Sequence, residues 1–170
     1  LKRVIVKIGV LTVSDRAALG EYEDQSGPLI RDIMQRSGSW SISHQEVVRD
    51  DVAEIASVLT NWCDEGLNLI LTTGGTGFAR RDVTPEATRL VIEREAPGIA
   101  EAMRLESLKI TRHAMLSRAI AGIRDGTLII NLPGSPKAVK ENLQVLLPVL
   151  PHALALLADV PTAESGHRSV

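Results

Sequence analysis

At 170 residues, 44% hydrophobic and 24% charged, the chain is long enough to bury one proper core and is expected to fold as a single domain. A net charge of −2 and one cysteine, Cys63, exclude a global basic field for nucleic acid or anionic membrane, a disulfide framework and a cysteine-rich metal site. No apolar run approaches the ~20 residues that span a bilayer, the basic-then-apolar start LKRVIVKIGVLTVSD lacks a signal-cleavage site, and a reduced cytoplasmic setting is expected.

Strand-like and helix-like segments then alternate. VKIGVLTVS is β-branched and nearly continuously apolar, the pattern of a strand covered on both faces. A polar stretch, DRAALGEYEDQSG, is long for a connection in a compact domain, and such loops are often functional. SGPLIRDIMQRSG is the first expected helix, capped by Ser26, with Pro28 in its first turn and Gly38 at its end. Its buried stripe is Leu29, Ile30, Ile33 and Met34. WSISHQEVV alternates as a second strand. DDVAEIASVLTNWCDEG forms a second helix with Val52, Ile55, Ala56, Leu59 and Trp62 on one face, and Asp51 with Glu54 as a capping-box-like start.

LNLILTT is the third strand. TPEATRLVIEREAPG is the helix after the glycine loop, capped by Thr84. IAEAMRLESLKI and HAMLSRAIAG are expected to be helical, and TLIINL is a further buried strand. PGSPKAVKENLQVLL turns into a helix that Pro148 and Pro151 bend or split. The folded domain is expected over 1–158, with 159–170 as a flexible tail. Repeated strand–helix units imply a three-layer α/β/α fold with a mainly parallel central sheet.

In such sheets, ligands bind beyond the carboxyl ends of the strands. Three strand ends there carry polar or glycine-rich loops: SDRAALG, TTGGTGFARRD and NLPGSPK. Gly74, Gly75 and Gly77 allow close backbone approach to a ligand, and N–H groups exposed around Thr76 suit phosphate oxygens. In Pro133-Gly134-Ser135, Ser135 suits the cap and Pro136 the first turn of a helix whose free N–H groups face the same edge. Phe78 and Ala79 follow the last glycine where a Walker A loop needs Lys-Ser or Lys-Thr, and the dinucleotide fingerprint is absent.

The stretch LTTGGTGFARRDVTPEAT resembles the signature of the molybdopterin adenylyltransferases, the MogA/MoaB-type enzymes, whose plant and animal relatives carry the domain fused to another, as in gephyrin. VLTVSDRAALGEYEDQSGP resembles that family's first strand and loop, and PGIAEAMRLESLKITRHAMLSRAIAGIRDGTLIINLPGSPKAVKENL its second half, so the likeness runs from about Val10 to Leu157. The resemblance implies the family's molybdopterin-binding-like fold and Mg²⁺-dependent adenylylation of molybdopterin by ATP, releasing pyrophosphate. It implies a homotrimer, with metal insertion done by a separate insertase, since a fused one is not expected within 170 residues.

The family's two important acidic positions map onto Asp82 in RRDVTPEA and Asp50 in VVRDDV, as catalytic residues and Mg²⁺ ligands. Arg49 stands where the family more often has proline, which leaves a one-residue shift to Asp51 open. Ser14, Asp15 and Arg16 border the expected nucleotide or phosphate site, although Asp15 equally suits a loop-start hydrogen bond. Ser107, Ser117 and Arg118 are assigned either to the pterin or to helix surface and caps. Arg80 and Arg81 suit phosphate neutralisation, with solvent as the alternative for one of them. His44 and His113 have no nearby histidine or cysteine in the sequence, and Cys63 and Trp62 read as core. The alternatives are a relative that binds pterin or a partner protein without efficient transfer, and a phosphate-holding nucleotide module.

Overall fold

The computed structural model describes residues 5–159; nearly all of the expected tail lies outside them. In chain order the elements are β1 (Val6–Val13), α1 (Asp15–Ala18), α2 (Ser26–Ser37), β2 (Trp40–Val48), α3 (Val52–Asp64), β3 (Leu69–Thr73), α4 (Thr84–Val91), β4 (Arg94–Glu95), α5 (Pro97–Leu108), a 3₁₀ turn (Arg112–Leu116), β5 (Ala121–Arg124), β6 (Thr127–Leu132), α6 (Pro136–Leu146) and α7 (Leu150–Leu157). Six strands form one sheet in the order β2-β1-β3-β6-β5-β4. The β1–β2, β1–β3 and β3–β6 pairs are parallel; β5 and β4 add an antiparallel edge.

Alternation along each strand sorts side chains between two cores. Ile8, Val10, Leu69, Leu71, Leu128 and Ile130 pack with α2, α5, α6 and α7 on one face. Leu11, Val13, Ile70 and Ile129 pack with α3 and α4 on the other. Both faces are covered at β1, β3 and β6, so those sequences read as unbroken apolar runs, unlike the edge strand β2. A fully buried side chain of this kind contributes about 1.5–3 kcal/mol, and β3 is buried at all five of its positions. The expected three-layer architecture is therefore present. So are the helix stripes: Ile30 and Met34 are buried, and Ile55, Leu59 and Trp62 lie in the second core.

Five local expectations are corrected. The helix expected over TPEATRLVIEREAPG ends at Val91, and Arg94–Glu95 pairs with β5 as β4. Ser26 is the first residue of α2 and does not cap it; Asp24 Oδ1 accepts from Gly27 N at 3.0 Å, and the Ser26 hydroxyl donates to the Gly134 carbonyl at 2.7 Å. Thr84 likewise opens α4 as its first residue, and its hydroxyl donates backwards to the Gly74 carbonyl at 2.9 Å. The capping box at Asp51 is half formed. Asp51 accepts from Glu54 N at 2.8 Å, but the Glu54 carboxylate turns to Arg49 at 3.0 Å. Finally, HAMLSRAIAG is not a helix. It is a short 3₁₀ turn followed by β5, because sheet pairing to β6 outcompetes local helix formation there.

Residue Asn131 on β6 fastens this corner from inside. Its side chain donates to the Thr72 and Thr88 hydroxyls at 3.0 and 2.9 Å and accepts from Ile120 N at 3.2 Å. β3, α4 and the approach to β5 thus meet at one buried amide whose hydrogen bonds are satisfied. Among the described residues, no helix is long and apolar enough to cross a membrane.

Candidate active site at the strand carboxyl ends

The parallel strands all point their carboxyl ends to one edge, where the loops after β1, β2, β3 and β6 meet. The first two are tied by a reciprocal pair. Asp15 N donates to Asp50 Oδ2 at 2.8 Å, and Asp50 N donates to Asp15 Oδ1 at 2.9 Å. Ser14 caps the short α1 through Ala17 N at 3.2 Å. The next residue divides the labour of the two adjacent aspartates. Asp51 caps α3 through Glu54 N, whereas Asp50 lines the pocket between the loops.

The glycine loop follows β3. Gly74 and Gly75 have φ of +94° and +64°, left-handed values that disfavour any side chain. A Cβ on Gly75 would also collide with Thr84 Oγ1 and lie 3.2 Å from Asp50 Oδ1. Thr84 N donates to the Gly75 carbonyl at 3.0 Å, so the first turn of α4 pins the bend. Asp82 closes the loop on itself, accepting from Ala79 N at 2.9 Å through Oδ2. The loop after β6 comes backbone to backbone against it: a Cβ on Gly134 would stand 3.3 Å from Gly74 Cα. Thr73 Oγ1 donates to the Pro133 carbonyl at 2.7 Å, and Gly74 N to the Leu132 carbonyl at 3.3 Å. Ser135 caps α6 as expected, with Pro136 in its first turn.

Two compartments share the glycine loop as a wall. The smaller, about 170 Å³, is lined by Ser14, Asp15, Arg16, Asp50, Gly75, Arg81 and Asp82. Burial raises the Asp50 carboxyl above the ordinary aspartate value; the Asp15 amide lowers it, the Asp15 charge raises it, Arg81 lowers it and Asp82 raises it. The larger, about 280 Å³, runs from Thr76, Gly77 and Pro133 to α5, the 3₁₀ turn and α6. Its walls are apolar at Ala100, Met103, Leu116 and Ala138, with polar groups at Arg104, Ser107, His113 and Asn142. A seat of about 140 Å³ beside Gly74 and Gly134 adds Thr12, Ser14, Tyr22, Asp24 and Ser26.

The edge therefore gathers most of the residues singled out in the sequence. Ser14, Asp15, Asp50, Gly75 and Asp82 face the small pocket; Thr76, Gly77, Pro133 and Ser107 face the groove; Gly74 and Gly134 line the third seat. Ser135 lines none of the three. Arg118 does not line them either: it stands behind the loop, donating through Nε to the Gly77 carbonyl at 2.8 Å and through its other nitrogens to the Asp82 carbonyl and the Glu86 carboxylate. That hydrogen bond holds the Glu86 carboxyl below its usual value, against a smaller opposing effect of burial. Arg104 and Asn142 in the groove, and Thr12 in the third seat, carried no sequence signal beyond helical or strand periodicity, while Asp24 of that seat lies in the long polar loop DRAALGEYEDQSG without having been singled out in it. His44 pairs with Glu65 at 2.8 Å and its ring lies 5.3 Å from that of Trp62, away from this edge.

Residues 9–152 match the family described as a probable molybdopterin binding domain. The chain is 50% identical to gephyrin of Dictyostelium discoideum over 173 aligned residues, covering 95% of this chain but 24% of that protein's length. It is 46% identical to a molybdopterin adenylyltransferase of Helicobacter pylori, covering 89% of this chain and 88% of that one. Among solved structures, the molybdopterin biosynthesis enzyme MoaB of Thermus thermophilus superposes with a TM-score of 0.85 at 51% identity, covering 90% and 96% of the two chains. With its fold, its glycine loop and these matches in agreement, the chain belongs to the molybdopterin-binding domain family.

Proposed function

We propose that this chain acts in molybdenum cofactor biosynthesis as a molybdopterin adenylyltransferase. The terminal phosphate of molybdopterin attacks the α-phosphorus of ATP; a new P–O bond forms, the bond to the bridging oxygen breaks, and pyrophosphate leaves. One observation carries this reading. A single glycine loop separates a compact carboxylate-lined pocket from a larger, mostly apolar groove, so one wall can present a nucleotide phosphate and a flat pterin to each other. The relatives named as adenylyltransferases supply the chemistry that this geometry suits.

Nucleotidyl transfer is mainly positioning and charge neutralisation. In this reading, backbone N–H groups of 75–77 take phosphate oxygens and Arg81 offsets their charge. Asp50 and Asp82 suit Mg²⁺: each has one carboxylate oxygen engaged by a backbone N–H, from Asp15 and Ala79, and a second oxygen that takes no backbone N–H among the described residues. Two hard oxygen ligands alongside phosphates and water match the preference of that ion. Bound there, it would screen the triphosphate and fix its orientation. Asp15 contributes by holding Asp50, and Ser107, Arg104 and Asn142 offer hydrogen bonds to a pterin edge in the groove.

The adenylylated product would pass to a metal insertase, a homotrimer is the proposed assembly, and the cytoplasm its proposed compartment. Pyrophosphate release measured with ATP, with and without molybdopterin, tests the activity. Release requiring both substrates is expected. Molybdopterin binding without pyrophosphate would favour the pterin-binding alternative, and pyrophosphate release unchanged by molybdopterin would point to a nucleotide module.

A further inference from the structure

The carbonyls of the glycine loop raise a separate question: what holds an irregular stretch in one shape when it faces two compartments? Between Thr76 and Asp82, the loop's own bonds are few. Ala79 N reaches the Asp82 carboxylate, and Asp82 N reaches the Ala79 carbonyl at 2.9 Å. The carbonyls of Thr76, Gly77 and Asp82 all go to one residue. Arg118 N donates to Thr76 at 2.9 Å, its Nε to Gly77 at 2.8 Å, and its terminal nitrogens to Asp82 and to Glu86 in the first turn of α4.

Arg118 is itself held. Arg104 Nη1 on α5 donates to the carbonyls on either side of it, Ser117 at 3.3 Å and Ala119 at 2.8 Å. Ser117 and Ala119 line the large groove, as does Arg104. The strand of chain that forms one groove wall thus also carries the clamp on the loop that bears Asp82.

We propose that Arg118 is a positioning residue: with Glu86 as its counter-charge, it fixes the 76–82 loop so that the loop's N–H groups and Asp82 are aimed into the carboxylate pocket. It touches neither substrate. Its fork geometry is what the task requires, since three acceptors in different directions need a planar guanidinium, and a lysine ammonium cannot replace it. This role rests on the adenylyl-transfer reading only where rates are concerned; the mechanical part concerns the ligand-free protein.

Arg118→Ala is tested by hydrogen exchange on the ligand-free chain and by steady-state kinetics. Faster exchange at amides 76–82, with β1 and β3 unchanged, is expected. With both substrates, kcat should fall about tenfold or more while the KM for ATP and for molybdopterin moves less than about threefold. Added ethylguanidinium should restore part of the rate, and Arg118→Lys should not. Glu86→Gln keeps the side-chain shape, loses the charge, and should shift both readouts in the same direction by less; it stands in if Arg118→Ala does not fold. Unchanged exchange, or a raised KM with kcat kept, would overturn the clamp and make Arg118 dispensable or a substrate ligand. A wild-type chain without adenylyl transfer would sink the functional reading alone, because faster loop exchange in the variant would still uphold the clamp.

Discussion

The two compartments flanking the glycine loop differ in kind although they share a wall. One is small and charged, built from loop-borne side chains at the ends of β1, β2 and β3. The other is larger and mostly apolar, built from helix side chains of α5 and α6. Loops place carboxylates by backbone hydrogen bonds, as in the Asp15–Asp50 exchange. Helices place a surface by packing, as with Met103 and Ala100, which also belong to the core. Changes on the loop side should therefore act on chemistry with the fold kept, and changes on the helix side on one ligand's affinity.

The largest expected effect breaks the charged side. Asp82→Asn should keep the Ala79 hydrogen bond, and with it the fold, yet lower adenylyl transfer by about 10²-fold or more. Pterin affinity, measured by calorimetry, should be unchanged; near-normal turnover would remove Asp82 from the mechanism. Gly75→Val comes next. Its left-handed φ of +64° and the collision with Thr84 add strain of about 1–2 kcal/mol or more. Nucleotide binding should weaken roughly tenfold. Unchanged ATP binding would make the bend merely structural.

Ala138→Phe sharpens the contrast from the other side. Its ring would fill groove volume beside Pro133 and Asn142, weakening molybdopterin binding by roughly tenfold, about 1.4 kcal/mol, with ATP binding intact. Equal losses for both ligands would show that the compartments are not separate. Asp51→Ala should cost about 1 kcal/mol of stability through its lost cap, visible as a lower Tm, with activity nearly intact. Loss of activity there would move the catalytic label from Asp50 to Asp51.

The smallest effect is a pH dependence at Asp50. Its carboxyl lies above the ordinary aspartate value chiefly through burial, so the native state holds that proton more tightly than the unfolded chain does. The associated stability is present at low pH and lost as pH rises through the raised value. Asp50→Asn should then melt slightly higher than wild type near neutral pH, with the gap closing in acid, even as transfer falls. A lower Tm at neutral pH would contradict this.

Much of this was legible in the residues. Unbroken apolar runs at VKIGVLTV, LILTT and TLIINL announced strands covered on both faces, and glycines beyond one of them announced the bend. The capping rule favoured Asp51 as the cap but left the shift from Asp50 to Asp51 open, and the hydrogen bond from Glu54 N then placed the cap on Asp51. Where local rules failed, a distant partner had intervened. Ser26 and Thr84 look like caps, but their hydroxyls are spent on Gly134 and Gly74, 108 and 10 residues away in sequence. AIAG looks helical because nothing in it announces the β6 edge it pairs with. Arg118 suited either a pterin contact or a helix-surface role because sequence cannot show that loop carbonyls and Glu86 already occupy its guanidinium.

The contact of Gly134 with Gly74 has a consequence for reach. The loops after β3 and β6 meet main chain to main chain, so the spacing of the two loops follows from that backbone contact, fastened by the Thr73 hydroxyl on the Pro133 carbonyl and not by the side chains that line either seat. Either seat can then be re-lined, for a different ring or a different tail of phosphates, without altering how far apart the two occupants lie. The jig stays constant while its jaws are exchangeable, and a methyl group at position 134 would act as a shim, lengthening the gap that one molecule must cross to meet the other.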